Sequence, residues 1–217
     1  MDFTRLAILS ILAYLIGAIP TGLIIGKLNG VDLREHGSGK TGATNVSRLV
    51  GRRAALLVFV LDAAKGALPV AIARLVGWGG NADAEAVAIG CTAFAALAGH
   101  IWSVWIRIWA GKWGGGRGVS TAVGTMLMVN PLTALFGLAV AVPVILISRY
   151  VSLGSIIGII AGGLLMITLV AFAHYSIWLA VYVVVAGGLV VLIHHDNIER
   201  LLKGTERKLS FKSRQGQ

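Results

Sequence analysis

Residues 6–26 read LAILSILAYLIGAIPTGLIIG, an uncharged run bounded by Arg5 and Lys27. Wound as an α-helix at about 1.5 Å per residue, the run is about 30 Å long, the thickness of a bilayer's hydrocarbon core. It has one preceding arginine and no Ala-x-Ala exit, so it reads as a retained transmembrane helix rather than a cleaved signal. The composition agrees. Of 217 residues, 57% are hydrophobic and only 13% charged, which is too apolar for a water-soluble fold and excludes disorder. Mean hydropathy is +0.84. The 29 glycines do not argue against this, because glycine is common in membrane helices.

Six further apolar runs follow, at about 54–76, 85–106, 119–129, 132–148, 152–173 and 177–193. Asn130-Pro131 separates two of them, while Arg149-Tyr150 and His174-Tyr175 mark interfaces. Gly154 and Gly158 form a G-x-x-x-G packing pair. The net charge of +10 could suggest nucleic acid, but the basic residues fall in short segments between apolar runs. With the N-terminus outside, segments 27–53, 107–118, Arg149 and 194–217 lie inside and hold 16 of the 19 basic residues. The positive-inside rule therefore predicts an outside N-terminus and a cytoplasmic C-terminus. The chain is inside at Gly118 and again at His194, so 119–193 crosses an even number of times. Four crossings make an all-α bundle of seven transmembrane helices; two would make five. The run 119–129 is the short one. The chain reads as one membrane domain over 1–217, with 194–217 as a cytoplasmic C-terminal segment.

Three inner segments gather small residues, amides, hydroxyls and cations. The first runs Arg34-Glu35-His36-Gly37-Ser38-Gly39-Lys40-Thr41-Gly42-Ala43-Thr44-Asn45-Val46-Ser47-Arg48. Gly39-Lys40-Thr41 imitates the end of a P-loop. The glycine required five residues earlier is Arg34, however, and a membrane helix rather than a strand precedes it. What survives is an anion cradle: glycine N–H groups, the side chains of Ser38, Thr44 and Asn45, and the Arg48 fork. The second segment, Trp113-Gly114-Gly115-Gly116-Arg117-Gly118-Val119, delivers a cation to a helix start, where free N–H groups suit phosphate oxygens. The third begins His194-His195-Asp196-Asn197, and His194 and Asn197, three apart, share a helix face. His194 and His195 point apart, and Cys91 is the sole cysteine, so no metal site and no disulfide are expected. At membrane depth, Asp62 and Lys65 are three apart, where a lone charge costs roughly 2.5–3.5 kcal/mol; an internal pair reduces that cost. His100 follows Gly99 in the third run and suits either helix packing or catalysis.

Together these segments resemble the bacterial acyl-phosphate:glycerol-3-phosphate acyltransferases of the PlsY type. The motifs are Gly37-Ser38-Gly39 … Gly42-Ala43-Thr44-Asn45 … Arg48, Leu61-Asp62 … Lys65-Gly66, Gly99-His100, Gly115-Gly116-Arg117-Gly118-Val119, Arg149-Tyr150-Val151-Ser152 and His194 … Asn197-Ile198 … Arg200-Leu201. The resemblance implies a seven-helix enzyme of the bacterial inner or plasma membrane with cytoplasmic active-site loops. The implied reaction transfers a fatty acyl group from acyl phosphate to the 1-hydroxyl of glycerol 3-phosphate, giving lysophosphatidic acid and phosphate. It implies Ser38, Arg48, Arg117, His194 and Asn197 as glycerol 3-phosphate ligands, with His194, Arg117 and Asn197 catalytic. Gly37, Gly39, Gly42, Thr44, Asn45, Gly115 and Gly116 would shape the acyl-phosphate site, with Asp62, Lys65 and His100 in support. No cofactor or nucleic acid is implied; a functional link to an acyl-phosphate-producing enzyme is. Lys40 stands where the family has asparagine and Arg117 where it has lysine. About five extra residues lie around Trp109 to Trp113.

An acyl phosphate is already activated, and the chain shows no Ser–His–Asp set or reactive cysteine. Direct one-step transfer is therefore expected, with the proton going to the donor's phosphate or to His194.

Overall fold

The computed structural model describes residues 1–209 and is all-helical in regular structure over them. Asp2 caps α1 (Phe3–Gly17) by accepting from the Arg5 N–H at 3.0 Å. The first apolar run is then interrupted at Ala18–Pro20 before α2 (Thr21–Leu28). Pro20 lacks an N–H and its ring collides with the turn before it, so the helix breaks there. The carbonyls released by the break find partners on other helices, as hydrocarbon requires. Ser103 Oγ donates to Ala18 O at 2.5 Å, and Lys65 Nζ to Ile19 O at 2.7 Å.

A short α3 (Ala43–Leu49) precedes the long α4 (Arg52–Val76). Asn81 caps α5 (Ala82–Ile101), and Ser103 caps α6 (Val104–Ala110), which ends at Gly111 in the left-handed conformation. The extra residues around Trp109 to Trp113 are thus the end of α6 and its exit, with Trp109 and Trp113 exposed. Then come α7 (Val119–Val129), α8 (Pro131–Ser148), α9 (Val151–Phe172), α10 (Ile177–Ile193) and α11 (His195–Leu202). Asn130 ends α7 and caps α8, accepting from the Thr133 N–H at 3.1 Å with Pro131 in the first helical position.

All seven apolar runs are helical, but their lengths differ. Five stretches among the described residues are long and apolar enough to cross a bilayer: Phe3–Leu28, Arg52–Val76, Ala82–Ala110, Pro131–Ser148 and Val151–Phe172. Ile177–Ile193 makes a sixth if joined to α11, from which it is bent by 58°. Val119–Val129 has 11 residues, about 16 Å of helix and roughly half a hydrocarbon core. Against the expected seven, the structure therefore carries five full-length spans, or six with the bent pair.

Small residues allow the helices to touch. A Cβ on Gly124 of α7 would lie 1.9 Å from Ala63 O on α4, and one on Gly17 of α1 would lie 2.1 Å from Ala96 O on α5. The expected Gly154/Gly158 face does pack: a Cβ on Gly158 would meet Gly137 O of α8 at 2.7 Å. Outward faces carry large apolar side chains such as Leu75, Ile147 and Phe172, more than four-fifths exposed (87%, 85% and 82%) and suited to lipid.

Candidate active site

The three polar segments converge on one cavity of about 380 Å³. Its polar end is lined by Ser38, Lys40, Gly42, Thr44, Asn45, Arg48, Asp62, His100, Arg117, Ser152, His194, Asn197 and Glu206. It continues between α7, α8, α9 and α10 along Met126, Leu138, Ile145, Ile159, Tyr182 and Val190. One end suits anions; the rest suits hydrocarbon.

The first loop is fastened from within by Asn45, 2% exposed. Its amide nitrogen lies within hydrogen-bond distance of the carbonyls of Leu33, His36 and Lys40, and its Oδ1 accepts from the Ser38 N–H at 3.2 Å. Most of its capacity thus goes to the loop. Gly37 and Gly39 hold φ of +66° and +67°, the left-handed turns that fold the loop over Asn45. Neither lines the cavity, whereas Gly42, which starts α3, and Thr44 do.

The second loop is held by backbone bonds. Thr41 N–H donates to Gly115 O, Ser103 N–H to Gly114 O and Gly116 N–H to His100 O, at 3.2, 2.9 and 3.1 Å. A Cβ on Gly115 would sit 2.3 Å from His100 O, and one on Gly116 would sit 2.1 Å from His100 Nε2. Close backbone approach is what these two glycines supply, and neither lines the cavity. Arg117 does, delivered just before Gly118 turns the chain into α7. Its Nη2 donates to Asp196 Oδ2 at 2.5 Å.

The third segment bends at His194, which caps α10 and leads into α11. His194 and Asn197 both line the cavity. His194 is 2% exposed, and its Nδ1 lies 2.7 Å from Val190 O, so Nδ1 donates and Nε2 keeps its lone pair. Burial pushes the imidazole below its usual pKa, favouring that neutral form. Arg48 is half-buried and its Nη2 lies 3.4 Å from Arg207 O.

Sequence reading missed Glu206 and Asp196 as organisers. Glu206 Oε1 accepts from Asn197 Nδ2 at 2.8 Å and Ser152 Oγ at 3.0 Å, while Oε2 accepts from Arg200 Nε at 2.8 Å. Burial raises the Glu206 pKa, but the bonds from Arg200, Asn197 and Ser152 outweigh it and hold the carboxyl below the ordinary glutamate value. Asp196 bridges Arg117 and Arg200. The signal was Arg149-Tyr150-Val151-Ser152, whose serine serves this carboxylate.

At membrane depth Asp62 and Lys65 form the expected pair, Nζ to Oδ1 at 2.7 Å, and Thr21 Oγ1 donates to the same oxygen. His100 Nδ1 lies 3.6 Å from Asp62 Oδ1. No group of three or more His, Cys, Asp or Glu side chains is placed to hold a metal among the described residues. Of the segment 194–217, Lys212 and Arg214 lie outside those residues.

Known proteins match this chain along nearly all its length. The sequence model of the glycerol-3-phosphate acyltransferase family matches residues 7–204. Glycerol-3-phosphate acyltransferase 3 of Dehalococcoides mccartyi is 42% identical over 99% of this chain and 100% of its own. The glycerol-3-phosphate acyltransferase of Trichlorobacter lovleyi is 41% identical over 90% and 93%. Crystal structures of PlsY, an integral membrane glycerol 3-phosphate acyltransferase, superpose well. Its glycerol 3-phosphate form does so with a TM-score of 0.85, at 38% identity over 95% of this chain and 96% of that one. Its lysophosphatidic acid form gives 0.83 at 37% identity. With its fold and nearly all its length matched, the chain belongs to the glycerol-3-phosphate acyltransferase family and is a multi-pass membrane acyltransferase.

Proposed function

We propose that the protein transfers a fatty acyl group from acyl phosphate to the 1-hydroxyl of glycerol 3-phosphate, releasing phosphate and leaving lysophosphatidic acid. One observation carries the reading: the cavity joins a cation- and donor-lined end to a long apolar trough. A fatty acyl donor and a small phosphorylated acceptor need those two environments side by side.

Ser38, Arg48, Arg117, His194 and Asn197 surround the acceptor phosphate in this reading. Arg117 exchanges part of its pairing with Asp196 for phosphate when substrate enters, and the planar guanidinium suits two phosphate oxygens at once. Gly42 and Thr44, with the N–H groups around them, receive the donor phosphate. Gly37, Gly39, Asn45, Gly115 and Gly116 act on that site indirectly, through the loop shapes they hold. The acyl chain lies along α8, α9 and α10.

Two phosphate-bearing substrates repel each other; cations and N–H donors offset that repulsion and align hydroxyl with carbonyl. Donors aimed at the developing oxyanion and at departing phosphate supply the rest. The donor is already activated, and Cys91, the sole cysteine, does not line the cavity, so in this reading transfer is direct, without an acyl-enzyme. The product begins phospholipid synthesis, and a donor-producing enzyme must feed the site. The concentration of basic residues in those segments supports a cytoplasmic position for the loops, with the N-terminus outside and α7 as a seventh, short crossing.

The deciding experiment supplies purified protein in lipid with palmitoyl phosphate, with and without glycerol 3-phosphate. Phosphate release that needs the acceptor and matches lysophosphatidic acid formed is the expected result. Product only from acyl-CoA or acyl carrier protein would exclude the proposed donor. No product from any donor would exclude the reaction.

A further inference from the structure

Gly42 and Thr44 offer hydrogen bonds to a donor phosphate but no positive charge, and a phosphate dianion taken out of water needs both. Three Lys and Arg side chains line the cavity: Lys40, Arg48 and Arg117. Arg117 is paired with Asp196, and Arg48 Nη2 lies 3.4 Å from Arg207 O. Deeper in the membrane, Lys65 is spent on Asp62 and on Ile19 O. Lys40 Nζ, by contrast, has neither an ion pair nor a hydrogen bond among the described residues. The acids of its own loop do not compete for it. Asp32 is taken by Arg34, Nη2 to Oδ2 at 2.5 Å, and Glu35 is exposed and does not line the cavity.

The lysine is also held where it can serve. The peptide between Lys40 and Thr41 is fastened on both edges: its carbonyl accepts from Asn45 Nδ2 at 2.9 Å, and its N–H donates to Gly115 O at 3.2 Å. Thr41 is 4% exposed, and its carbonyl abuts α2 so closely that a Cβ on Gly22 would collide with it. The root of the Lys40 side chain is thus fixed where the first and second loops meet, two residues before Gly42. The side chain itself is half-buried and lines the cavity. Its four-carbon stem carries a point charge with three rotatable donors, which can follow a phosphate that moves as it departs. Arg117 must loosen its hold on Asp196 to take up phosphate; Lys40 gives up no partner.

We propose that Lys40 is the cation that binds the donor's phosphate and so selects an acyl phosphate as donor; this rests on the acyl-transfer reading above. The acceptor hydroxyl oxygen bonds to the acyl carbonyl carbon, and the carbon–oxygen bond to phosphate breaks with its electron pair leaving on phosphate. The Lys40 ammonium holds one terminal phosphate oxygen and leaves the others free. The hydroxyl proton passes to one of these, and hydrogen phosphate departs beside Lys40.

Wild-type protein is assayed first with palmitoyl phosphate and glycerol 3-phosphate; absence of product there overturns the acyl-transfer reading and the role of Lys40 with it, whereas the variants test Lys40 alone. With wild type active, Lys40→Gln is expected to raise KM for palmitoyl phosphate by about tenfold, with KM for glycerol 3-phosphate within about twofold of wild type. Lys40→Arg keeps the charge and is expected to recover most of that loss. The phosphonate analogue of the donor, with a methylene in place of the bridging oxygen, should weaken as an inhibitor of Lys40→Gln by the same factor. An unchanged KM for palmitoyl phosphate, or a rise for glycerol 3-phosphate as large as that for the donor, overturns the proposal. If the variants fail to fold, reductive methylation of wild-type protein decides, with modified lysines mapped by mass spectrometry. Slower methylation of Lys40 with the phosphonate, and not with glycerol 3-phosphate, supports the proposal. No protection by the phosphonate, or equal protection by glycerol 3-phosphate, overturns it.

Discussion

Arg117 and His194 touch the same cavity through different chemistry, and substitution should separate them. Arg117→Lys keeps the charge but loses the planar fork, so KM for glycerol 3-phosphate should rise by about tenfold, while Arg117→Ala should cost about 100-fold in kcat/KM. His194→Ala should raise KM with near-normal turnover at saturation; a collapse of kcat would make His194 the proton acceptor instead. Steady-state kinetics in both substrates checks all three. Glu206 carries a pH-dependent prediction. Its pKa is lowered in the folded protein, so its contribution to stability is present above the unfolded glutamate value of about 4.3 and is lost as pH falls through the folded value. Glu206→Gln should therefore lower Tm by about 5 °C at pH 7. The difference from wild type should vanish in acid, as thermal unfolding at a series of pH values will show.

At the scale of elements, glycines in the helices have opposite meanings that only packing distinguishes. Gly124 faces Ala63 of α4, where a Cβ would lie 1.9 Å from backbone oxygen, whereas Gly188 of α10 has nothing within 4 Å. Gly124→Ala should push α7 from α4 and lower Tm by several degrees with loss of activity, because Arg117 stands at the head of α7. Gly188→Ala should be neutral or mildly stabilising, since alanine is the better helix former by about 1 kcal/mol. Thermal unfolding of the two purified variants provides the comparison. The sequence alone marks both as small residues in apolar runs and cannot rank them. Capping was more legible: Asn130-Pro131 reads as a helix boundary, and Asn130 caps α8 there. The break at Ala18–Pro20 escaped a reading based on hydropathy, because Pro20 interrupts the helix without interrupting the apolar run.

Across the whole molecule, the charge distribution makes a topological prediction. In a Cys91→Ala background, Gly79→Cys lies between α4 and α5 and Lys203→Cys lies just after α11. An impermeant maleimide should label the first in intact cells and the second only after permeabilisation. The reverse pattern would invert the orientation, and same-side labelling would require a different parity of crossings.

From sequence alone come the membrane class, the seven helical runs and the three polar segments, because each depends on local quantities. Hydrocarbon thickness sets run length, and residue type sets where cations, amides and glycines can sit. Only the tertiary structure decides what those residues do once assembled. It turns Asn45 inward as a loop fastener and makes Gly115 and Gly116 points of backbone contact. It surrounds Glu206 with Ser152, Asn197 and Arg200, and leaves Asp62 and His100 with unanswered atoms at the cavity wall. The reason is that burial and hydrogen-bond satisfaction are set by partners far away in the chain: Ser152 and Glu206 are 54 residues apart, and Arg117 and Asp196 are 79. No local pattern encodes such pairings; they exist only when α4, α5, α7, α9 and α11 close around the same cavity.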